Sequence, residues 1–291
     1  MRGTGEFYTA KYAVNLQKTE PFSIVFFGDV HQFSPHHCDD TWNKFKAQYR
    51  KRKNTYFIGM GDYTDLLSTS ERWADDCANF HTSTQQTKWV WYEKMVDKFT
   101  NELEFMRGNI LGLVEGNHYM QFKDRTTSTQ RMCRSLDCNY LGECAALSVP
   151  VVCGKHFRRN LQIAVHHGRG SGRSAGSGFN TVEQMSRTFE GFDLYAMGDN
   201  HQRGGIPIQT LRMVETSSRP LPRIESHKIL LLRTGAFLRS YIHGQSSYVV
   251  DALMPPSNLG WVEVRITPSQ PRVSGDKEVS RGNALDLECI A

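Results

Sequence analysis

Short apolar runs rich in β-branched and aromatic residues recur along the chain, and polar segments separate them. Such runs are typical of buried strands, and several end at a glycine, where a strand can meet a tight turn. The predicted strands are Phe22–Phe27, Thr55–Ile58, Ile110–Val114, Leu161–Val165, Leu194–Met197, Ile229–Leu232 and Trp261–Ile266. No apolar run is long enough to cross a bilayer, so we expect no membrane partner.

Apolar residues at helical spacing lie between several of these runs. The clearest predicted helix is Gln85–Met106, and two more are predicted at Thr41–Tyr49 and Thr181–Phe189, the last with Asn180 as N-cap and Glu183 at N3. The stripe of the first helix consists of Trp91, Met95, Phe99, Leu103 and Met106. Strands that alternate with helices indicate a layered α/β domain, and the strand-rich later part favours helices flanking two packed sheets.

Composition and charge change this picture little. The 291 residues are 39% hydrophobic and 22% charged, with a formal net charge of +5, which is compatible with a polyanionic substrate. The N-terminal segment lacks the apolar stretch of a secretory signal, so we expect a cytoplasmic protein with reduced thiols. The seven cysteines form no CxxC pair, which argues against a structural zinc site.

Five of the predicted strands end in Asp, Asn or His beside a glycine. Because strand ends in an α/β sheet converge on one edge, these side chains are expected to lie together. Carboxylates, imidazoles and an amide are ligands for Mn, Fe, Zn or Mg, and the lack of thiolates disfavours a soft metal. Each block alone is a weak signal, but five in succession indicate a metal site. The blocks are DVH (29–31), GDYTD (61–65), GNH (116–118), HHG (166–168) and GDNH (198–201).

This ordered series resembles the calcineurin-like metallophosphoesterase superfamily, which shows DxH, GDxxD, GNH, a strand-end His and GHxH in the same order. Later segments resemble phage and bacterial members of unassigned substrate. The resemblance implies an α/β fold, a four-layer α/β/β/α sandwich of two mixed β-sheets flanked by helices. It also implies a single domain over residues 1–291, with a motif core at about 22–266 and a C-terminal extension at 267–291.

The resemblance further implies a centre of two divalent ions, with Mn preferred and Mg, Fe or Zn as alternatives. Asp199 stands where the family usually has the first His of GHxH, which favours a harder ion or leaves the second site weak or vacant. His167 directly precedes glycine, as the family ligand does, and His166 is the alternative. The implied ligands are Asp29, His31 and His201 for one ion, Asn117, His167 and Asp199 for the other, and Asp62 as the bridge.

For catalysis, the resemblance implies hydrolysis of a phosphate ester by metal-activated hydroxide. His118 corresponds to the general acid, and Asp65 to the carboxylate that pairs with this histidine in Ser/Thr phosphatases. Asn117 would also bind a phosphate oxygen. The chain is therefore expected to be a metal-dependent phosphoesterase, a hydrolase acting on ester bonds.

The substrate is left open among three alternatives. A phosphodiesterase or nuclease acting on nucleic acid or a nucleotide is preferred, because the net charge is positive and the Gly-rich loop 167–178 offers Arg169 and Arg173 as phosphate clamps. Trp73 and Phe80 in the polar loop 68–84 could stack on bases. A phosphomonoesterase or protein phosphatase is the second alternative, and a non-catalytic scaffold is the third. The oligomeric state is not predicted.

Overall fold

Two mixed β-sheets pack face to face in the computed structural model, which describes residues 7–65, 82–154, 157–168, 176–214, 222–245, 248–251, 253, 255–269 and 284–291. The strands are β1 Tyr8–Lys11, β2 Val14–Leu16, β3 Phe22–Phe27, β4 Thr55–Gly59, β5 Ile110–Leu113, β6 Cys144–Cys153, β7 Phe157–His166, β8 Leu194–Met197, β9 Arg203–Val214, β10 Arg223–Thr234, β11 Val262–Ser269 and β12 Ala284–Ile290. Sheet A has the order β1-β6-β7-β8-β10-β9, with β2 paired to β6, and sheet B the order β12-β11-β3-β4-β5.

Helices cover the outer face of each sheet and complete four layers. The helix α4 packs Val182 and Met185 against Ala164 and Tyr195 of sheet A, whereas α1 to α3 pack against sheet B. None of the described helices is long and apolar enough to cross a membrane. The predicted α/β/β/α sandwich is therefore confirmed. The helices are α1 Asp39–Tyr49, α2 Thr82–Glu102, α3 Ser128–Leu136, α4 Ser177–Thr188 and the short α5 Tyr248–Asp251, with a 3-10 turn at Glu104–Met106.

Two details of the helical prediction are wrong. Trp91 is 47% exposed, whereas Tyr92 and Val96 are buried, so the inner stripe of α2 is displaced by one residue in this part. Both sets of positions have helical spacing, and tertiary packing selects between them. The helix α4 begins at Ser177 with Gly176 as N-cap, so Asn180 lies inside the helix rather than at its cap.

A buried carboxylate ties α1 to sheet B. Glu263 of β11 is 3% exposed and accepts hydrogen bonds from Ser23 Oγ at 2.7 Å, Tyr49 OH at 2.9 Å and Arg52 Nη1 at 2.7 Å. Burial alone would raise the pKa of Glu263, but these donors and the Arg52 charge lower it below its ordinary value. The network therefore stabilises the fold in the ionised state of Glu263.

Glu263→Gln is expected to lower the free energy of unfolding at pH 7 by about 1–3 kcal/mol, a value reduced because Arg52 is one-third exposed to solvent. The folded pKa is depressed, so this contribution is present above the unfolded-state pKa of about 4.3 and disappears as the pH falls through the folded pKa. Denaturant unfolding in EDTA at pH 7, 5 and 3 measures it. The exposed carboxylate of Glu288, which faces Arg265 at 3.5 Å, is the control, and Glu288→Gln should change little. A pH-independent loss in Glu263→Gln would contradict the ionised network.

Candidate metal centre

The candidate site lies where the carboxyl ends of parallel strands from both sheets meet. In sheet B, β3 pairs with β4 and β4 with β5 in parallel, and in sheet A, β7 and β10 each pair with β8 in parallel. Every residue of the five sequence blocks follows one of these strands within a few positions, except His166, which is the last residue of β7. The fold therefore brings the blocks to one edge, as the sequence predicted.

Asp62 occupies the centre of the cluster. Its Oδ2 lies 3.4 Å from His167 Nε2 and 3.7 Å from His31 Nε2, and its Oδ1 accepts a hydrogen bond from the backbone N–H of His118 at 2.9 Å. A Cβ at Gly116 would lie 1.9 Å from Asp62 Oδ1, so only glycine allows the GNH loop to approach so closely. One carboxylate thus faces two imidazoles and fixes the neighbouring loop.

Asp29 and His201 extend the cluster on one side. Asp29 is fully buried, and its Oδ1 lies 3.6 Å from His201 Nε2. Among the described residues, three groups have ligand atoms close enough together to hold a metal ion. They are Asp29–His31–His201, His31–Asp62–His118 and Asp29–Asp62–His167.

Asn117 and Asp199 lie on the other side of the cluster. Asn117 Nδ2 donates to Asp199 Oδ1 at 3.4 Å, and the same oxygen lies 3.7 Å from His167 Nε2. Asp199 belongs to none of the three close groups, so its ligand atoms are more loosely arranged than those around Asp62. Asp199, the position that departs from the family's sequence pattern, thus also has the more widely spaced neighbouring ligand atoms.

His118 and Asp65 form a pair at the edge of the cluster. His118 Nδ1 lies 3.0 Å from Asp65 Oδ1, and both side chains are 26% exposed, in contrast to the buried residues behind them. Asp65 Oδ2 also lies 3.8 Å from His31 Nδ1. The pair is therefore accessible from solvent and adjoins the candidate metal ligands, which is a position suited to proton transfer.

Five candidate ligands have left-handed backbone conformations, with φ between 46° and 64°. Such conformations cost roughly 1–3 kcal/mol each in non-glycine residues and concentrate at functional sites. Asp and His tolerate this region better than most residues, which helps to explain their place directly after the strands. The five residues are Asp29, His31, Asp62, Asp199 and His201.

Several polar atoms of the cluster are buried without a hydrogen-bond partner. In a native fold such atoms are rare, because each loses its solvation without compensation. Oxygen and nitrogen donors that converge in this way fit hard or borderline divalent cations. The residues present therefore fit the metal ions that the sequence implied. The atoms are Asp29 Oδ1, His31 Nδ1 and Nε2, His167 Nε2 and Asp199 Oδ2.

The proton affinities of the cluster reflect burial and crowding of charge. Burial raises the pKa of Asp29 to about 7. Burial opposes a charged His167, but the carboxylates of Asp62, Asp29 and Asp199 raise its pKa to about 10. Burial and the charge of His31 lower the pKa of His201 to about 3. A cation at His167 Nε2 would therefore displace a proton.

Groups that sequence reasoning did not identify orient two of the histidines. The Met60 carbonyl lies 2.7 Å from His167 Nδ1 and Ser257 Oγ lies 3.4 Å from His201 Nδ1, so both rings turn Nε2 toward the cluster. His166 accepts a hydrogen bond from the Gly168 N–H at 2.7 Å instead. The structure thus places His167, and not His166, in the cluster. A backbone carbonyl carries no signal in the sequence, so Met60 could not have been identified from it.

Several residues singled out in the sequence lie outside the described part of the chain. They are Arg169 and Arg173 of the Gly-rich loop, Trp73 and Phe80 of the polar loop, and most of that loop itself. Its last residues, from Thr82, belong to the helix α2.

No protein-family model and no curated protein matches the sequence. Solved structures with a similar arrangement include GAP50, the anchor in the inner membrane complex of Plasmodium (10% identity, TM-score 0.42, covering 91% of this chain and 88% of that one). Vps29 of Chaetomium thermophilum is 12% identical, with a TM-score of 0.35 and coverage of 92% and 97%. A predicted phosphoesterase of Streptococcus pneumoniae is 12% identical, with a TM-score of 0.30 and coverage of 85% and 83%. At such TM-scores and identities, the fold assignment rests on the layers and strand order of the chain itself.

Proposed function

We propose that the chain is a dinuclear-metal-dependent phosphoesterase with a preference for phosphodiesters. The observation that carries the proposal is the set of buried carboxylate and imidazole atoms that converge at the strand ends without hydrogen-bond partners. A cluster of this kind is costly in the absence of cations, and its accessible rim holds the His118–Asp65 pair. A metal site beside a candidate acid is an arrangement that can catalyse hydrolysis of a phosphate ester.

In this proposal the ions would be divided between two sides of Asp62. Bound divalent ions supply Lewis acidity, which lowers the pKa of water at the site and neutralises charge on phosphate oxygens. Mn or Mg suits the carboxylate of Asp199 better than Zn does. The proposed ligands are Asp29, His31 and His201 on one side, Asn117, His167 and Asp199 on the other, with Asp62 shared.

The remaining residues would act on the substrate directly. His118, protonated and held at Nδ1 by the Asp65 carboxylate, would donate a proton from Nε2 to the leaving oxygen. The Asn117 amide, whose Nδ2 faces Asp199 Oδ1, would donate to a non-bridging phosphate oxygen as negative charge accumulates there. The buried histidines and carboxylates lie behind the His118–Asp65 pair, on the side away from solvent.

The proposal is tested by activity on bis-p-nitrophenyl phosphate and p-nitrophenyl phosphate. We expect EDTA-treated protein to be inactive, Mn²⁺ to restore hydrolysis, and the diester to be cleaved faster than the monoester. Mn²⁺ at 100 times its dissociation constant should also stabilise the fold by about 2.7 kcal/mol, which a thermal shift detects.

The outcomes separate the alternatives that the sequence left open. Faster cleavage of the monoester would contradict the proposed preference for diesters but would still support a phosphoesterase activity. Absence of hydrolysis with Mn²⁺, Mg²⁺, Fe²⁺ and Zn²⁺ would contradict the proposal that the chain is a phosphoesterase. A thermal shift with no hydrolysis would then indicate a metal-binding scaffold.

A further inference from the structure

Arg233 is a charged side chain that is completely buried beside the candidate metal ligands. Its exposed fraction is 0%, and it lies one residue before the end of β10. Along this strand Leu230 and Leu232 face the core between the sheets, whereas Ile229 and Leu231 pack on the side of α4. Because side chains alternate along a strand, Arg233 lies on the α4 side. A guanidinium there is strongly destabilising unless an opposite charge compensates it.

The guanidinium bridges two backbone carbonyls. Nε donates to Gly178 O at 2.7 Å and Nη1 donates to Gly198 O at 2.8 Å, while Nη2 is buried without a hydrogen-bond partner in the described part of the chain. Gly198 directly precedes Asp199. A Cβ at Gly178 would lie 3.2 Å from Arg233 Nε, so the helix end and the arginine fit closely. Arg233 therefore holds the backbone that leads into Asp199.

Neutral carbonyls cannot balance the charge of Arg233, but the carboxylates of the cluster can. Burial lowers the pKa of Arg233 to about 10, and the negative charges of Asp199 and Asp29 act against that shift, so the side chain remains cationic at neutral pH. Asp199 adds a negative charge to a cluster that already contains Asp29 and Asp62, both fully or almost fully buried. Position 199 is the one where the resembling family usually has the first histidine of its GHxH block.

We infer that Arg233 is a positioning residue that fixes the turn of Gly198 and Asp199 and supplies the charge that allows a carboxylate at position 199. The inference rests on the proposed place of Asp199 at the second ion. It predicts that Arg233 and Asp199 depend on each other in the metal-free protein. An arginine that only fills space would be independent of the charge at Asp199.

A double-mutant cycle of melting temperatures in EDTA tests this dependence. Arg233→Met is expected to lower the melting temperature by roughly 5–10 °C, because it leaves the buried carbonyls of Gly178 and Gly198 without their donors and removes a positive charge near the buried carboxylates. Asp199→Asn should be more favourable to stability in the Arg233→Met background than in the wild type, because burial already raises the pKa of Asp199 and the charge of Arg233 counteracts that shift. Arg203 is the matched control, because it begins β9 and pairs with Thr234, the residue after Arg233 in β10. The changes in melting temperature caused by Arg203→Met and Asp199→Asn should be additive.

Two further measurements separate charge compensation from packing. Arg233→Lys keeps the charge and should retain more of the coupling to Asp199 than Arg233→Met does. Saturating Mn²⁺ should reduce the coupling, because a cation at Asp199 supplies positive charge of its own. If Arg233→Met does not accumulate, Arg233→Gln takes its place in the cycle.

Additive shifts for Arg233 and Asp199 in EDTA would overturn the inference, as would equal coupling in Arg233→Lys and Arg233→Met. Coupling that Mn²⁺ leaves unchanged would refute the link to the second ion. The metal-free cycle does not use hydrolysis. Its failure is therefore distinct from the failure of the proposed function, which is measured by ester cleavage.

Discussion

Asp62→Ala is expected to remove both ions and to reduce phosphodiester hydrolysis by at least roughly 10³-fold, because metal activation supplies several kcal/mol of transition-state stabilisation. The same carboxylate oxygen faces His31 at 3.7 Å and His167 at 3.4 Å, so its loss affects both proposed ion positions. The other oxygen accepts the His118 N–H, and its loss also releases the GNH loop. Elemental analysis of protein dialysed against Mn²⁺ measures the number of ions, and the diester assay measures the rate.

Folding has to be controlled in this experiment. Asp62 is almost fully buried, and although burial opposes its ionisation, His167 and His31 hold its pKa well below the usual range, so the carboxylate also stabilises the metal-free protein. Circular dichroism and melting in EDTA separate this effect from metal loss, and Asp62→Asn keeps the volume. Asp193→Ala is the matched control, because Asp193 precedes β8 at the opposite end of the strand and faces His227 at 3.6 Å. Two ions still bound to Asp62→Ala would contradict the bridging assignment.

The location of the site could be predicted because it follows from local features. An apolar run that ends in glycine and a carboxylate or imidazole specifies a strand and the turn after it, and parallel strands then bring the turns together. Asp29, Asp62 and His167 are examples: each follows its strand closely, and the structure gathers all three in one group. The four-layer fold follows from the same alternation of strands and helices.

The wrong helical stripe has a different cause. Trp91 and Met95 have the same helical spacing as Tyr92 and Val96, and the local pattern does not distinguish the two faces. Sheet B and the loop around Phe122 select the second pair, because the face of α2 that packs on them carries Tyr92, Val96 and Phe99. Tertiary packing, and not propensity, therefore sets the rotation of this helix.

The groups that hold the ligands in place could not be predicted. Arg233 acts through carbonyls of Gly178 and Gly198, which lie 55 and 35 residues away in the chain, and His167 is oriented by the carbonyl of Met60, 107 residues away. Every residue has a carbonyl, so such contacts leave no signature in the sequence. Arg233 also follows three leucines, where an apolar strand pattern would continue. Its charge was the only available signal.

His118→Ala is expected to reduce hydrolysis of diesters with poor leaving groups by about 10²–10⁴-fold, the usual contribution of a general acid, while both ions remain bound. The loss on p-nitrophenyl esters should be smaller, because nitrophenolate leaves without a proton. Rates on alkyl and nitrophenyl esters, with elemental analysis of the same samples, measure the difference. His227→Ala, on β10 and away from the strand ends, is the control and should leave both rates unchanged.

This experiment also decides between two roles for His118 that the geometry allows. His118 lies with His31 and Asp62 in one of the close groups, which is compatible with a ligand, but its Nδ1 faces Asp65 at 3.0 Å and its side chain is 26% exposed, as an acid requires. Loss of a metal ion from His118→Ala, with equal losses on both classes of ester, would identify a ligand. Asp65→Asn separates the roles again. It removes the charge that orients the acid, and because Asp65 Oδ2 also lies 3.8 Å from His31 Nδ1, its metal content is measured on the same samples. At excess Mn²⁺ it should reproduce part of the leaving-group dependence.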